Sequence, residues 1–256
     1  MAFSLKNLRK RLSRDPLTRR KAQGKYFERR LRRHDLQLYK SHLNWTLSGT
    51  LKDLHAEWGD APGLPADRCC FLYDLARLAR HRGVPGDSAE CGVRYGKSTF
   101  FLLRGLDDPA RPHHLFDSFA GLSATGAADS AASGLKSWRE GDISVPESAA
   151  RENLARFPNC EFRVGWIPER FPEVADRRFA LVHIDVDLYQ PTRDALEFFW
   201  PRLTPGGLIV CDDYGFATCP GATQAFDEFF AERRDGVLPI PTGQCLVWKD
   251  AAAVSG

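Results

Sequence analysis

Residues 179–213 read FALVHIDVDLYQPTRDALEFFWPRLTPGGLIVCDD, and their pattern decides the fold. An apolar run over 179–185 (FALVHID) ends in an aspartate. A helical pattern follows over 191–200, and a second apolar run, 207–211 (GLIVC), leads into two more aspartates. Short apolar runs without polar alternation fit strands buried on both faces. Two such strands joined by a helix form a parallel βαβ unit.

The same alternation continues outward. Strand candidates at 88–91 (SAEC), 113–117 (HHLFD) and 161–164 (EFRV) come first, with helical candidates at 97–104, 147–156 and, after the quoted stretch, 220–233. A further helix is expected over 68–81, where Phe71, Leu72, Leu75, Leu78 and Ala79 fall on one stripe; Gly83, Pro85 and Gly86 end it. Residues 237–240 and 244–248 flank Pro241-Thr242-Gly243 and read as a closing hairpin. The expected fold class is α/β, a doubly wound sheet, mostly parallel with an antiparallel C-terminal hairpin. Residues 1–66 are expected to form a basic, helical extension, with Leu5, Leu8 and Leu12 on one face. Residues 67–250 form the domain and 251–256 a tail. The small, polar stretch 123–134 (SATGAADSAASG) is expected to be a mobile loop.

A chain of 256 residues, 43% hydrophobic and 27% charged, has the profile of a globular protein with one sizeable core. No run approaches the roughly 18 apolar residues of a membrane span. The basic N-terminus lacks the apolar segment of a secretory signal, so a cytoplasmic location is expected. Cysteines 69, 70, 91, 160, 211, 219 and 245 are odd in number and show no paired metal spacing, which fits reduced, structural thiols. The net charge of +3 conceals an asymmetry: residues 1–40 carry fourteen Lys or Arg against three Asp or Glu, leaving 22 basic and 30 acidic residues beyond them. Such an arm could meet nucleic acid or an acidic partner. Its few aromatics for base stacking favour packing on its own body or on a second subunit, so a homodimer is expected.

The loop after the first strand, Glu90-Cys91-Gly92-Val93-Arg94-Tyr95-Gly96-Lys97-Ser98-Thr99, holds the first chemical signal. Its glycines permit close backbone approach at the carboxyl edge of the sheet, where doubly wound folds bind ligands. A dinucleotide fingerprint needs G-x-G-x-x-G, but Arg94 stands two residues after Gly92. A phosphate-binding P-loop needs four residues between its glycines, and only three separate Gly92 from Gly96. A methyltransferase site wants an acidic residue at the strand end, small residues after it, and a second acid after the next strand. Glu90, Gly92, Gly96 and Asp117 meet that pattern, with Asp117 suited to ribose hydroxyls.

The second signal is the pair of strand ends, His183-Ile184-Asp185-Val186-Asp187 and Asp212-Asp213. Adjacent parallel strands would release these carboxylates at one sheet edge, where like charges repel unless a cation lies among them. Hard oxygen donors favour Mg²⁺, and Mn²⁺ or Ca²⁺ also suit them. Asp187 and Asp213 read alternatively as loop and helix-cap residues. His183 has the parity of Asp185 and reads as a buried packing residue. Trp166, Trp200 and Trp248 read as core or pocket wall.

The segments AECGVRYGKST, LFDSFAGL, FRVGWIPERFPE, LVHIDVDLYQPTRDALEFFWPRLTPGGLIVCDDYG, CPGATQAFDEFF and PTGQCLVWK, in this order, resemble the macrocin O-methyltransferase family over about residues 68–249. That family includes methyltransferases of macrolide deoxysugars and of the aminocoumarin sugar. The resemblance implies a class I methyltransferase fold, S-adenosylmethionine and a divalent metal. It implies Asp185, Asp212 and Asp213 as metal ligands, with Asp185 also the general base. Glu90, Gly92, Gly96, Ser98, Asp117 and Ser118 make up the candidate cofactor set. The family commonly has a Trp near Arg94-Tyr95 and a Gly where Lys97 stands, and the 123–134 loop also departs from its pattern.

The expected reaction is therefore metal-assisted O-methylation of a sugar or glycoside, with a vicinal diol as the preferred acceptor. Cation binding acidifies the hydroxyl, and Asp185 takes its proton. Two rivals remain at this point. A small-molecule kinase would depend on Lys97, and a nucleic-acid-binding protein would depend on the basic arm.

Overall fold

The structure is a computed structural model, and it describes residues 49–131, 135, 137–232 and 236–250. The expected N-terminal helix, the basic arm and the 251–256 tail lie outside the described residues. The compact unit begins at Thr50. Its elements run α1 (Gly49–Trp58), α2 (Ala66–His81), β1 (Asp87–Cys91), α3 (Lys97–Leu106), β2 (His113–Asp117), α4 (Glu147–Leu154), β3 (Cys160–Val164), β4 (Phe179–Ile184), α5 (Tyr189–Phe199), β5 (Leu203–Cys211), α6 (Pro220–Phe230), β6 (Leu238–Pro239) and β7 (Cys245–Trp248). Short 3-10 turns lie at Ala127–Asp129, Phe171–Val174 and Trp200–Arg202.

The strands form one seven-stranded sheet in the order β3-β2-β1-β4-β5-β7-β6. The first five are parallel, and β7 runs antiparallel to both β5 and β6. This is the doubly wound sheet with a closing hairpin expected above. β5 is longer than the run GLIVC, because Leu203 pairs with Phe179 and the register shifts within the strand before Leu208 pairs with Leu181.

Why these segments pack is legible in their periodicity. On α5 the buried residues Thr192, Ala195, Leu196 and Phe199 follow a spacing of three, one and three, a single helix face. β1 and β4 are buried along their whole length, as central parallel strands must be. Along β4, Val182 and Ile184 join the core shared with α5 and α6, and Leu181 joins the opposite core shared with α2 and α3. Phe199 is fully buried among Phe116, Phe171, Phe179 and Phe198, with ring centroids 4.9–5.9 Å away. α1 belongs to the same unit, Trp58 resting on Phe100 at 5.5 Å. No helix among the described residues is long and apolar enough to cross a membrane.

The register delivers the site. Cys91 pairs with Ile184, and Ile184 with Cys211, so β1, β4 and β5 end level with one another. Their next residues, Gly92, Asp185 and Asp212, emerge side by side.

Candidate active site

The ladder continues one step past the strands. The Asp185 amide donates to the Cys91 carbonyl and the Asp212 amide to the Ile184 carbonyl, each at 2.8 Å. One carboxylate oxygen from each of Asp185, Asp212 and Asp213 lies within 4.8 Å of the others, and Asp187, Asp213 and Cys219 form a second such group. Burial and the neighbouring Asp187 push Asp185 up to about 6, against the pull of His183 and Arg68. Burial, Asp187 and Asp185 push Asp213 well above the usual carboxylate range. Ionised carboxylates crowded in this way are costly without a positive partner.

Asp212 is fully buried and already engaged. Its Oδ1 accepts from Gln244 Nε2 at 2.8 Å, and Arg68 Nη1 makes an ion pair with its Oδ2. His183 Nε2 lies 3.5 Å from Oδ1 and has no hydrogen-bond partner. On the other ring edge, Nδ1 meets Glu90 Oε1 at 2.8 Å, and Thr99 donates to the second oxygen of Glu90. His183 is therefore hydrogen-bonded to Glu90 on β1 and faces Asp212 after β5, which goes beyond the packing role expected for it.

The carboxylates open onto a cavity of about 510 Å³. Asp185 and Asp213 line it, as do Gly92, Asp117 and Ser118 from the cofactor set; Glu90, Gly96, Ser98 and Asp212 do not reach its surface. Asp117 Oδ2 accepts from the amides of Val93 and Arg94 at 2.7 and 2.8 Å, and its Oδ1 from the Phe119 amide at 2.7 Å. The aspartate thus organises the loop after β1 from below.

The two glycines of that loop answer to the protein's own packing. Gly92 has φ +88°, and a Cβ there would stand 1.8 Å from the Asp185 carbonyl oxygen. A Cβ on Gly96 would meet Leu154 at 2.7 Å. Only a residue without a side chain lets the β1 loop cross the end of β4 this closely.

Trp138, Trp166 and Ile167 contribute apolar wall. Trp200 packs on Phe230 at 4.9 Å and Trp248 against the α2–α3 core, so neither joins the cavity. The segment expected to be a mobile loop is anchored in its described part. Asp129 is buried, its Oδ1 accepts the Tyr189 amide at the start of α5 at 2.7 Å, and its Oδ2 accepts the Gly126 amide at 2.8 Å. A small, polar composition reads as loop and does not reveal that one carboxylate in it caps a helix.

Sequence reasoning also passed over Arg68, Gln244 and Cys219. Arg68 and Gln244 come from α2 and from the turn before β7, and no spacing connects them to Asp212. Cys219 read as one more scattered thiol, but it lines the cavity and donates to Asp187 Oδ1 at 3.3 Å.

Residues 66–237 match the family described as macrocin-O-methyltransferase (TylF). The 8-demethyl-8-(2,3-dimethoxy-alpha-L-rhamnosyl)-tetracenomycin-C 4'-O-methyltransferase of Streptomyces olivaceus is 37% identical over 153 residues, 56% of this chain and 59% of that protein. The mycinamicin III 3''-O-methyltransferase of Micromonospora griseorubida is 31% identical over 185 residues, 65% of this chain and 72% of the relative. The chain thus spans about three fifths of the first relative's length. Among solved structures, the O-methyltransferase NovP superposes with a TM-score of 0.61 at 24% identity, covering 78% of this chain and 88% of that one. The calicheamicin methyltransferase CalS11 superposes with a TM-score of 0.59 at 23% identity, covering 78% and 91%. These structural likenesses show the fold, a class I methyltransferase sheet.

Proposed function

The chain belongs to the macrocin O-methyltransferase family, and from that premise we propose that it transfers a methyl group from S-adenosylmethionine to a hydroxyl of a sugar or glycosylated natural product. The observation that carries this reading is the meeting of two walls in one cavity. One wall holds Asp185 and Asp213, with Asp212 behind them, and the other holds Gly92, Asp117 and Ser118. The relatives named for methylating a rhamnosyl 4' position and a mycinamicin 3'' position support a sugar as acceptor.

The donor set fits a divalent cation. Three hard oxygens converge from adjacent strand ends, and burial together with the neighbouring carboxylates resists ionisation of Asp185 and Asp213. We assign Asp185, Asp212 and Asp213 as ligands of Mg²⁺, a role Mn²⁺ or Ca²⁺ could share. When bound, such a cation lowers the pKa of a coordinated hydroxyl and fixes its oxygen. A vicinal diol is the preferred acceptor because two hydroxyls chelate better than one.

The chain's own residues do the rest. Asp185, held near 6 by burial before any cation arrives, accepts the hydroxyl proton at a carboxylate oxygen. S-adenosylmethionine, which Gly92, Asp117 and Ser118 would hold, would supply the methyl group to that oxygen, its sulfur keeping the electron pair of the carbon–sulfur bond. Trp138, Trp166 and Ile167 exclude water from the reacting atoms and offer flat apolar surface to a sugar ring. Gly92, Asp117 and Ser118 bound the cofactor region. Glu90, Gly96 and Ser98 lie behind it, and Glu90 also orients His183 against Asp212 behind the carboxylate wall.

A homodimer is the assembly we assign to the chain. All seven cysteines are free thiols, which supports a reducing, cytoplasmic setting. The test of the activity is transfer of labelled methyl from S-adenosylmethionine to a panel of glycosides, run with Mg²⁺ and with a chelator. Label on a sugar oxygen only when Mg²⁺ is present is expected. Label on no hydroxyl of any glycoside bearing a vicinal diol contradicts the reading.

A further inference from the structure

Arg68 lies in the first turn of α2, remote in sequence from every acidic strand end, yet its guanidinium reaches into their midst. Its side chain is 15% exposed, lines the cavity, and has its central carbon 4.8 Å from the centre of the Phe216 ring. Asp185 and Asp213 both feel its positive charge. Its direct partner is Asp212.

The two oxygens of Asp212 are not equivalent. Oδ1 is held by Gln244 Nε2 at 2.8 Å and faces His183 at 3.5 Å. Oδ2 is the oxygen that Arg68 holds. A cation drawing all three aspartates together needs an oxygen from Asp212, and the one without a neutral amide on it is covered by a guanidinium. Two positive charges on the same carboxylate oxygen repel, and at a buried carboxylate solvent screens that repulsion weakly.

We propose that Arg68 is a built-in counter-ion that competes with the divalent cation for Asp212, and that cation binding moves the guanidinium off Asp212 towards the cavity over Phe216. The proposal rests on the assignment of the three aspartates as cation ligands. Arg68 is on this view a positioning residue. Without a cation it neutralises Asp212 and holds the first turn of α2 against the strand ends. With a cation bound it is released into the cavity while keeping its existing contact with the Phe216 ring face. The exposed edge of the Arg68 side chain and the cavity beside it leave room for that movement.

Competition has a measurable signature. The apparent affinity of a ligand falls by the fraction of molecules whose site is available. A guanidinium holding Asp212 about nine-tenths of the time therefore weakens cation binding about tenfold. The test is titration of Mn²⁺ into the full-length protein without cofactor, followed by electron paramagnetic resonance and calorimetry. Wild type is compared with Arg68→Met, which removes the charge and keeps the bulk, and Arg68→Gln, which keeps a neutral donor. Circular dichroism identifies folded variants, and either folded variant suffices.

Mn²⁺ binding about tenfold tighter in the folded variant, with a larger rise in melting temperature on adding Mn²⁺, is expected. Equal or weaker binding in the variant, with wild type still binding Mn²⁺, overturns the competition and leaves the cation site standing. Absence of Mn²⁺ binding in wild type and variants alike overturns both the competition and the ligand assignment beneath it.

Discussion

Glu90 and His183 face each other across β1 and β4, and a 2.8 Å hydrogen bond joins Oε1 to Nδ1 in the interior of the sheet. Burial alone would raise the Glu90 pKa. The hydrogen bonds and charges of His113 and His183 more than offset it and hold the carboxyl down to about 2. An ionised Glu90 can only accept, so Nδ1 of His183 carries the proton and Nε2 is turned towards Asp212. A buried carboxylate thereby sets the ring that lies against a proposed cation ligand.

The linkage gives a pH-dependent prediction. A folded pKa near 2, below the ordinary 4.5, contributes stability that is complete above about 4.5 and fades as the pH falls towards 2. Glu90→Gln is expected to lose roughly 3 kcal/mol of stability at pH 7. The difference from wild type should shrink steadily below pH 4.5, and denaturant unfolding at a series of pH values measures it.

Asp185→Asn retains the shape of the strand end and removes the proton acceptor. Turnover is expected to fall by at least about a hundredfold, the low end of what a positioned base contributes. Calorimetry should show S-adenosylmethionine affinity within a few-fold of wild type, since Gly92, Asp117 and Ser118 are untouched. Unchanged turnover would remove Asp185 from the reaction.

Gly92→Ala tests the crossing of the β1 loop over the end of β4. The new methyl would stand 1.8 Å from the Asp185 carbonyl oxygen, at a φ of +88° that alanine resists. A loss of at least about 2 kcal/mol is expected, combining backbone strain with overpacking. Because the clash falls on Asp185 itself, methyl transfer should drop in the protein that still folds. Thermal unfolding and activity on the same sample check both halves.

Phe199→Ala empties the centre of the aromatic cluster under the sheet. Phe199 is fully buried against four other phenylalanines, so a cost of about 3–5 kcal/mol is expected. Phe199→Leu, which keeps most of the apolar bulk, should recover much of it, as guanidinium unfolding would show.

The fold and half of the site were legible in the sequence for one physical reason: a parallel strand buried on both faces must be apolar throughout and must end where polarity returns. FALVHID and GLIVC therefore mark both strands, and the aspartates at their ends, from residue order alone. Arg68, Gln244 and the helix-capping Asp129 were not legible. Each acts through a tertiary contact, to Asp212 or to the Tyr189 amide, that leaves no periodic trace along the chain. The glycine loop was only partly legible. Its glycines suggested close approach to a ligand, whereas at Gly92 and Gly96 the close approach is to Asp185 and Leu154.

The most direct test of the proposed chemistry is calorimetric titration of S-adenosylmethionine, and separately of ATP, into the full-length protein with Mg²⁺ present. Micromolar binding of S-adenosylmethionine and none of ATP is the predicted result. Binding of ATP with no heat from S-adenosylmethionine would contradict a methyltransferase site and return the loop from Gly92 to Ser98 to a phosphate-binding role.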